Sequence, residues 1–431
     1  MLEISKNNFV SKVCADVELP RMIKIRQKFD KTHIPAEGID AAVRAELERD
    51  AIASRIKPGM SIGITSGSRG VANVAAITKA IVDFLKEKQA KPFVFPAMGS
   101  HGGATAEGQL EILEGFGITE ENMGCPIKAS METVQIGVRD DGEAVRIDKI
   151  ASEADGIIIC GRIKAHTSFR GPIESGLVKM AVIGLGKQHG AETVHALGFP
   201  GMDQRLIHVG HIICDNCKIL FGLGTIENAY DQTYKVAALT PDEIFEKEPE
   251  LLLEAKSKMG KLMFKNADLL VVDRIGKDVS GDGMDPNVTN RYACLPSTPD
   301  NICIQRIVAL SLTKDTHHNA NGVGMADITT RRLAADTILD ITYPNAVTST
   351  VVDVVKMPLI VESDKIAIQL GLRICNGIDR ANPKVIRILD TMHLDEIYIS
   401  EALREEAEQC EDIEIIGEPE EWKFNSEGNL W

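Results

Sequence analysis

Three short apolar runs, each passing into a loop with glycine and a polar side chain, constrain this chain more than any other feature. Residues 59–65 (GMSIGIT) lead into 66–70 (SGSRG), 91–98 (KPFVFPAM) into 99–103 (GSHGG), and 155–160 (DGIIIC) into 161–171, which holds Lys164, His166 and Arg170. Between the first two runs, Val74, Ile77, Ile81, Val82 and Leu85 recur at helical spacing within 71–88, and a second helical stretch, 105–116, stops at Gly117. Strand and helix in alternation imply parallel βαβ units. Open parallel sheets bind ligands beyond the carboxyl ends of their strands, where helix N-termini and loops offer N–H donors. The candidate site is therefore the convergence of residues 66–69, His101 and His166.

From 232 to 265 the chain reads as helical and charged. Thr240-Pro241-Asp242-Glu243 carries an N-cap, a proline suited to the first helical position and a capping-box glutamate, and Pro249 is expected to start a second helix over 250–264. A second α/β region begins at 267–273 (ADLLVVD), with further strands expected at 303–312, 359–362 and 396–399. The tail, 401–431, has helical spacing to about residue 408. The expected division is thus 1–265, an N-terminal cofactor-binding α/β domain with its connecting helices, and 266–431, a C-terminal α/β domain.

Composition narrows the partners. With 431 residues, 48 Lys+Arg against 63 Asp+Glu and a net charge of −15, the chain is long enough for two or three cores and poorly suited to a nucleic-acid or anionic-membrane surface. No run of 18 apolar residues and no signal-like N-terminus appear, so a cytoplasmic protein is expected. Nine scattered cysteines suit free thiols rather than a disulfide framework.

Several motifs fail on inspection. Residues 176–187 (GLVKMAVIGLGK) resemble a phosphate loop, but Ala181 stands where glycine is needed and Gln188 follows Lys187 in place of Ser or Thr. His208, His211, Cys214 and Cys217 recur every three residues, a period that keeps four ligands on neither a helix face nor a strand face. The loop 276–291 (GKDVSGDGMDPNVTNR) lacks the spaced carboxylates of a calcium loop and reads as a solvated or substrate-facing connection. Lys179 stands out inside an apolar run: desolvation would favour its neutral, nucleophilic amine, whereas a packed stem with its head in water is the plainer alternative.

GSHGG at His101, the His166 loop, and Lys179 followed sixteen residues later by His195 together resemble the nickel-dependent lactate racemase family. The resemblance implies two α/β domains with the active site in the cleft between them. It implies a nickel-pincer nucleotide, pyridinium-3,5-bisthiocarboxylate mononucleotide nickel, covalently attached to Lys179, with Ser68 in its surroundings and His195 completing the nickel's coordination. His101 and His166 take the part of paired general acid/bases, and Arg69 that of the guanidinium on the substrate carboxylate; Arg170, in a loop that departs from the family, and Arg291 are candidates for further substrate contacts. The chain departs from the family at Ser66-Gly67-Ser68-Arg69, where lactate racemases carry Asp-x-Thr-Arg, and its loop from His166 to Lys179 is three residues longer.

The function so implied is racemisation or epimerisation of a 2-hydroxy acid larger than lactate, such as a sugar acid or hydroxy dicarboxylate, by hydride abstraction and return. Proton abstraction beside a carboxylate would give a poorly stabilised dianion, whereas hydride removal gives a flat keto acid. Two histidines of near-neutral pKa then serve the two hydroxyl positions, and the cofactor carries the hard step. Enzymes of cofactor synthesis are the implied partners. The alternatives are a Schiff-base lyase or aldolase using Lys179, and a non-catalytic nickel- or cofactor-binding protein.

Overall fold

The computed structural model describes residues 8–68 and 70–431. Contacts divide the chain into two units, Lys31–Met259 and the described part of Met1–Asp30 together with Gly260–Trp431. Both are α/β.

In the first unit a five-stranded sheet runs in the order Lys91–Pro96, Ser61–Ser66, Gly156–Arg162, Ile219–Glu227, Thr233–Leu239; the first four strands are parallel and the last antiparallel. Ser61–Ser66 has its two sequence successors on opposite sides, which makes its carboxyl end the switch point where such sheets open a crevice. Ile62, Ile64, Val94, Ile158 and Phe221 pack against Ile77, Ile81 and Leu85 of the helix Val74–Glu87, so the apolar stripe read from the sequence is the face that buries. Thr105 caps the helix Ala106–Gly115 by accepting the Gly108 N–H, and Gly117 follows at φ +74°. The three polar loops thus leave three neighbouring strands at the same sheet edge.

The second unit holds an eight-stranded sheet: Leu359–Val361, Ile328–Thr330, Cys303–Ala309, Asn266–Val272 and Val385–Ile388 are parallel, followed by antiparallel Glu396–Ser400, Met22–Gln27 and Ile413–Ile415. The expected division 1–265 and 266–431 is corrected here. Met22–Gln27 pairs with Glu396–Ser400, Met22 opposite Ser400, and buries Ile23 and Ile25 in the second unit's core. The tail also has more structure than its pattern suggested: Ile413–Ile415 is a strand, and Trp422 donates Nε1–H to the Pro20 carbonyl at 2.9 Å.

Pro249 is a second correction. A single helix, Pro241–Lys258, runs through it, opened by the expected capping box of Thr240 and Glu243. Its buried residues Ile244, Glu248, Leu252 and Ala255 lie on one face, and that packing carries the helix across a proline that local propensity reads as a break.

Candidate active site

Residues 177–195 form a helical floor beneath the three loops. Leu177–Lys179 is α-helical, Met180–Gly184 widens into a π turn closed by Leu185 N–H on Met180 O (3.0 Å), and Lys187–His195 resumes the α-helix. Such π turns recur at functional sites because they re-aim neighbouring side chains. The loop glycines permit close approach from above. A Cβ on Gly67 would meet the Met180 methyl at 3.0 Å, and one on Gly99 would meet Ile183 and Ala191. Gly99 and Gly102 sit at φ +59° and +66°, and Gly102 presses on the Gly108 backbone, so GSHGG can turn this tightly only with glycine there.

His101 is fixed from below. Its Nδ1 lies 2.8 Å from Met98 O, which can only accept, so the ring proton is on Nδ1 and the lone pair on Nε2. Gln109 donates Nε2–H to the carbonyls of Gly99 and His101 at 3.1 and 3.2 Å. Lys187, fully buried, donates to Pro96 O (2.6 Å) and Gln109 Oε1 (3.3 Å) and pairs with the buried Asp148 at 2.9 Å. Burial lowers the Lys187 pKa, and Asp148 opposes that shift. The lysine that looked like part of a failed phosphate loop is thus an interior tie between a strand end and the His101 loop.

His166 sits in a loop closed by reciprocal backbone bonds between Lys164 and Ser175. The buried carboxylate of Glu174 accepts the His166 N–H at 2.7 Å and the Lys256 ammonium at 2.6 Å. Arg170 spends Nη1 on the His166 and Phe169 carbonyls, at 2.5 and 3.0 Å, which turns it toward the loop itself. The His166 ring packs on Phe169 at 4.3 Å between centroids and lies 6.2 Å from Phe199. Its Nε2 is 2.8 Å from Lys179 Nζ.

His195 meets Phe199 edge-on at 5.7 Å, and its Nδ1 donates to Ala191 O at 2.7 Å, leaving the lone pair on Nε2. Burial lowers the pKa of His195, and burial with the surrounding basic groups holds His166 well below 6.5. His166 and His195 therefore share one aromatic wall, with Lys179 on His166 and with His101 on the loop that rests on the same helical floor. Ser68 follows the strand Ser61–Ser66, and Arg69 lies outside the described residues.

Arg291 does not fit its expected part. Its guanidinium is engaged by the Asp327 carboxylate and by the carbonyls of Ile304, Gln305 and Met325, which makes it a tie within the second unit. The loop 276–291 is likewise held in place, by Gly276 N–H on Gly283 O (2.8 Å) within the loop and by Thr313 Oγ1–H on Asp278 (2.5 Å) from the neighbouring segment. Along the helix Met202–Asn216, His211 stacks on Phe245 at 3.8 Å, and no metal-holding cluster of His, Cys, Asp or Glu occurs among the described residues.

Glu248 went unremarked in the sequence. It is fully buried, accepts the Val178 N–H at 3.1 Å at the start of the Lys179 helix, and is pushed up to about 8 by burial. Its only local signal is an acidic residue on the buried face of an amphipathic helix.

Residues 13–204 match the family described as the lactate racemase N-terminal domain. Among solved structures, the lactate racemase apoprotein from Thermoanaerobacterium thermosaccharolyticum superposes with a TM-score of 0.52 at 13% identity, over 86% of this chain and 93% of that one. No curated protein gives a significant match. Residues 13–204 are thus similar in sequence to the lactate racemase N-terminal domain, and the chain shares the fold of that apoprotein over most of its length.

Proposed function

We propose that this protein is an isomerase that racemises or epimerises a 2-hydroxy acid, working with a nickel-pincer nucleotide attached through Lys179 and ligated by His195. The observation that carries the reading is that His166 and His195 share Phe199 while Lys179 Nζ lies 2.8 Å from His166 Nε2, in a stretch similar to the lactate racemase N-terminal domain. The donor set fits such a group. His195 has its Nδ1 proton committed to Ala191 O, so Nε2 carries the lone pair a metal requires, and Lys179 is a half-sheltered amine beside an imidazole.

When bound, the group supplies the hydride acceptor. The chain's own residues handle protons and placement. His101, with its lone pair on Nε2, is ready to take a hydroxyl proton, while His166 serves the opposite hydroxyl position. Phe169 and Phe199 keep water from that side. Arg69 is proposed for the substrate carboxylate. A substrate larger than lactate is proposed from the extra length of the loop between His166 and Lys179, whose Glu174 and Arg170 serve to hold that loop in shape. Cofactor-synthesis enzymes are the proposed partners, and no helix among the described residues is long and apolar enough to cross a membrane.

The test is protein co-produced with cofactor-synthesis enzymes and offered a hydroxy-acid panel deuterated at the α-carbon. Hydride return in a closed site keeps deuterium in the epimer. Solvent hydrogen appearing at that carbon at the rate of inversion overturns the reading. An amine at Lys179 also suits a Schiff-base lyase, which would instead break the carbon skeleton and be trapped by borohydride only with substrate present.

A further inference from the structure

Ser168 donates its backbone N–H to His166 Nδ1 at 3.0 Å, and a ring nitrogen that accepts carries no proton. In the neutral imidazole the proton is then on Nε2, the atom 2.8 Å from Lys179 Nζ. A protonated Nε2 can only donate. The lysine nitrogen therefore accepts, which an ammonium cannot do, having no lone pair. Both partners are held for this contact: Glu174 grips the His166 N–H, and Glu248 accepts the Val178 N–H next to Lys179.

We propose that His166 has a role before any turnover, holding Lys179 as the neutral amine that covalent attachment needs. It follows that the Nε2–H of His166 is freed for substrate only once Lys179 has reacted: condensation of Nζ with a carboxyl-level carbon of the cofactor forms the Nζ–C bond and expels water, and the amide-type nitrogen so formed no longer accepts a hydrogen bond. Loading and acid–base competence are thereby ordered: the unreacted lysine occupies the proton that His166 would present to substrate. This inference rests on the reading of Lys179 as the attachment residue, and its first test needs no cofactor.

Intact, unloaded protein is treated with cyanate at pH 7 and the lysines are followed by peptide mapping. Cyanic acid adds to a neutral amine: the Nζ–C bond forms, a proton passes from Nζ to the cyanate nitrogen, and nothing leaves. Lys179 is expected to be carbamylated at least about tenfold faster than the exposed Lys91, as a neutral amine should be against lysines that are mostly ammonium at that pH. His166→Leu should bring Lys179 to the Lys91 rate or below, and His166→Gln, which keeps an N–H donor, should restore much of the difference. A Lys179 rate that His166→Leu leaves unchanged overturns the proposal. Nitrogen NMR of the His166 ring gives a readout independent of reagent access: an unprotonated Nδ1 is expected, and a protonated Nδ1 overturns it. Loading with nickel-pincer nucleotide is scored separately by intact mass. Protein that labels as expected yet gains no cofactor mass refutes the cofactor reading alone. Protein that loads while Lys179 labels no faster than Lys91 refutes the role of His166 alone.

Discussion

At the scale of single residues, the three histidines differ in where their protons lie. His101 and His195 each spend Nδ1–H on a backbone carbonyl and present a lone pair, whereas His166 accepts a backbone N–H and presents a proton. That difference separates their expected phenotypes. Lys179→Ala should abolish the covalent adduct, and His195→Ala should keep the organic adduct while losing nickel, as intact-mass spectrometry and metal analysis of the two variants will report. His101→Ala and His166→Ala, each compared at matched cofactor loading, should lower inversion about 10²–10⁴-fold, the usual worth of a general acid–base. Near-normal inversion by either would remove that histidine from the chemistry.

At the scale of elements, the helix Pro241–Lys258 braces the site from behind: Glu248 meets the start of the Lys179 helix, and Lys256 neutralises the carboxylate holding His166. Glu248 is raised from 4.5 to about 8 by burial, with the Val178 and Leu177 N–H groups opposing. Between those values the folded chain keeps a proton the unfolded chain has lost, so stability falls as pH rises through the window and the loss is complete above it. Glu248→Gln cannot lose that proton. Relative to wild type it should gain on the order of 2 kcal/mol between pH 6 and 9, read from urea midpoints; a pH-independent difference would place the Glu248 titration elsewhere. The brace also marks where sequence reading stops. The strands ending at Ser66, Pro96 and Arg162 were legible because continuous apolar runs pass abruptly into glycine and polar residues. Pro249 misled because a local break rule was overridden by a buried face extending on both sides of it. Lys187 and Glu248 were opaque because their partners, Asp148 and Val178, are distant in sequence and the pairing exists only once the chain has folded. Arg291 misled for the same reason, since its partner Asp327 lies on another segment.

At the scale of the molecule, the chain leaves the second unit after Asp30, builds the whole first unit, and returns at Gly260. Ile25 is fully buried in a strand flanked by Glu396–Ser400 and Ile413–Ile415. Ile25→Ala should cost about 2–5 kcal/mol through the lost contacts and the cavity left behind. The loss should be local: thiol labelling should accelerate at the buried Cys375 of the second unit and stay slow at the buried Cys125 of the first. Equal acceleration at both would mean that the two units unfold as one. The return of the chain also sets a timetable for the newborn protein. The Met22–Gln27 strand is made before the first unit, with Ile23 and Ile25 facing water, and its partner Ser400 is made only after that unit. At ~5–20 residues per second, that wait is roughly twenty seconds to over a minute. The first unit can fold during the interval while the strand stays unpaired, so the period of greatest aggregation hazard falls during translation.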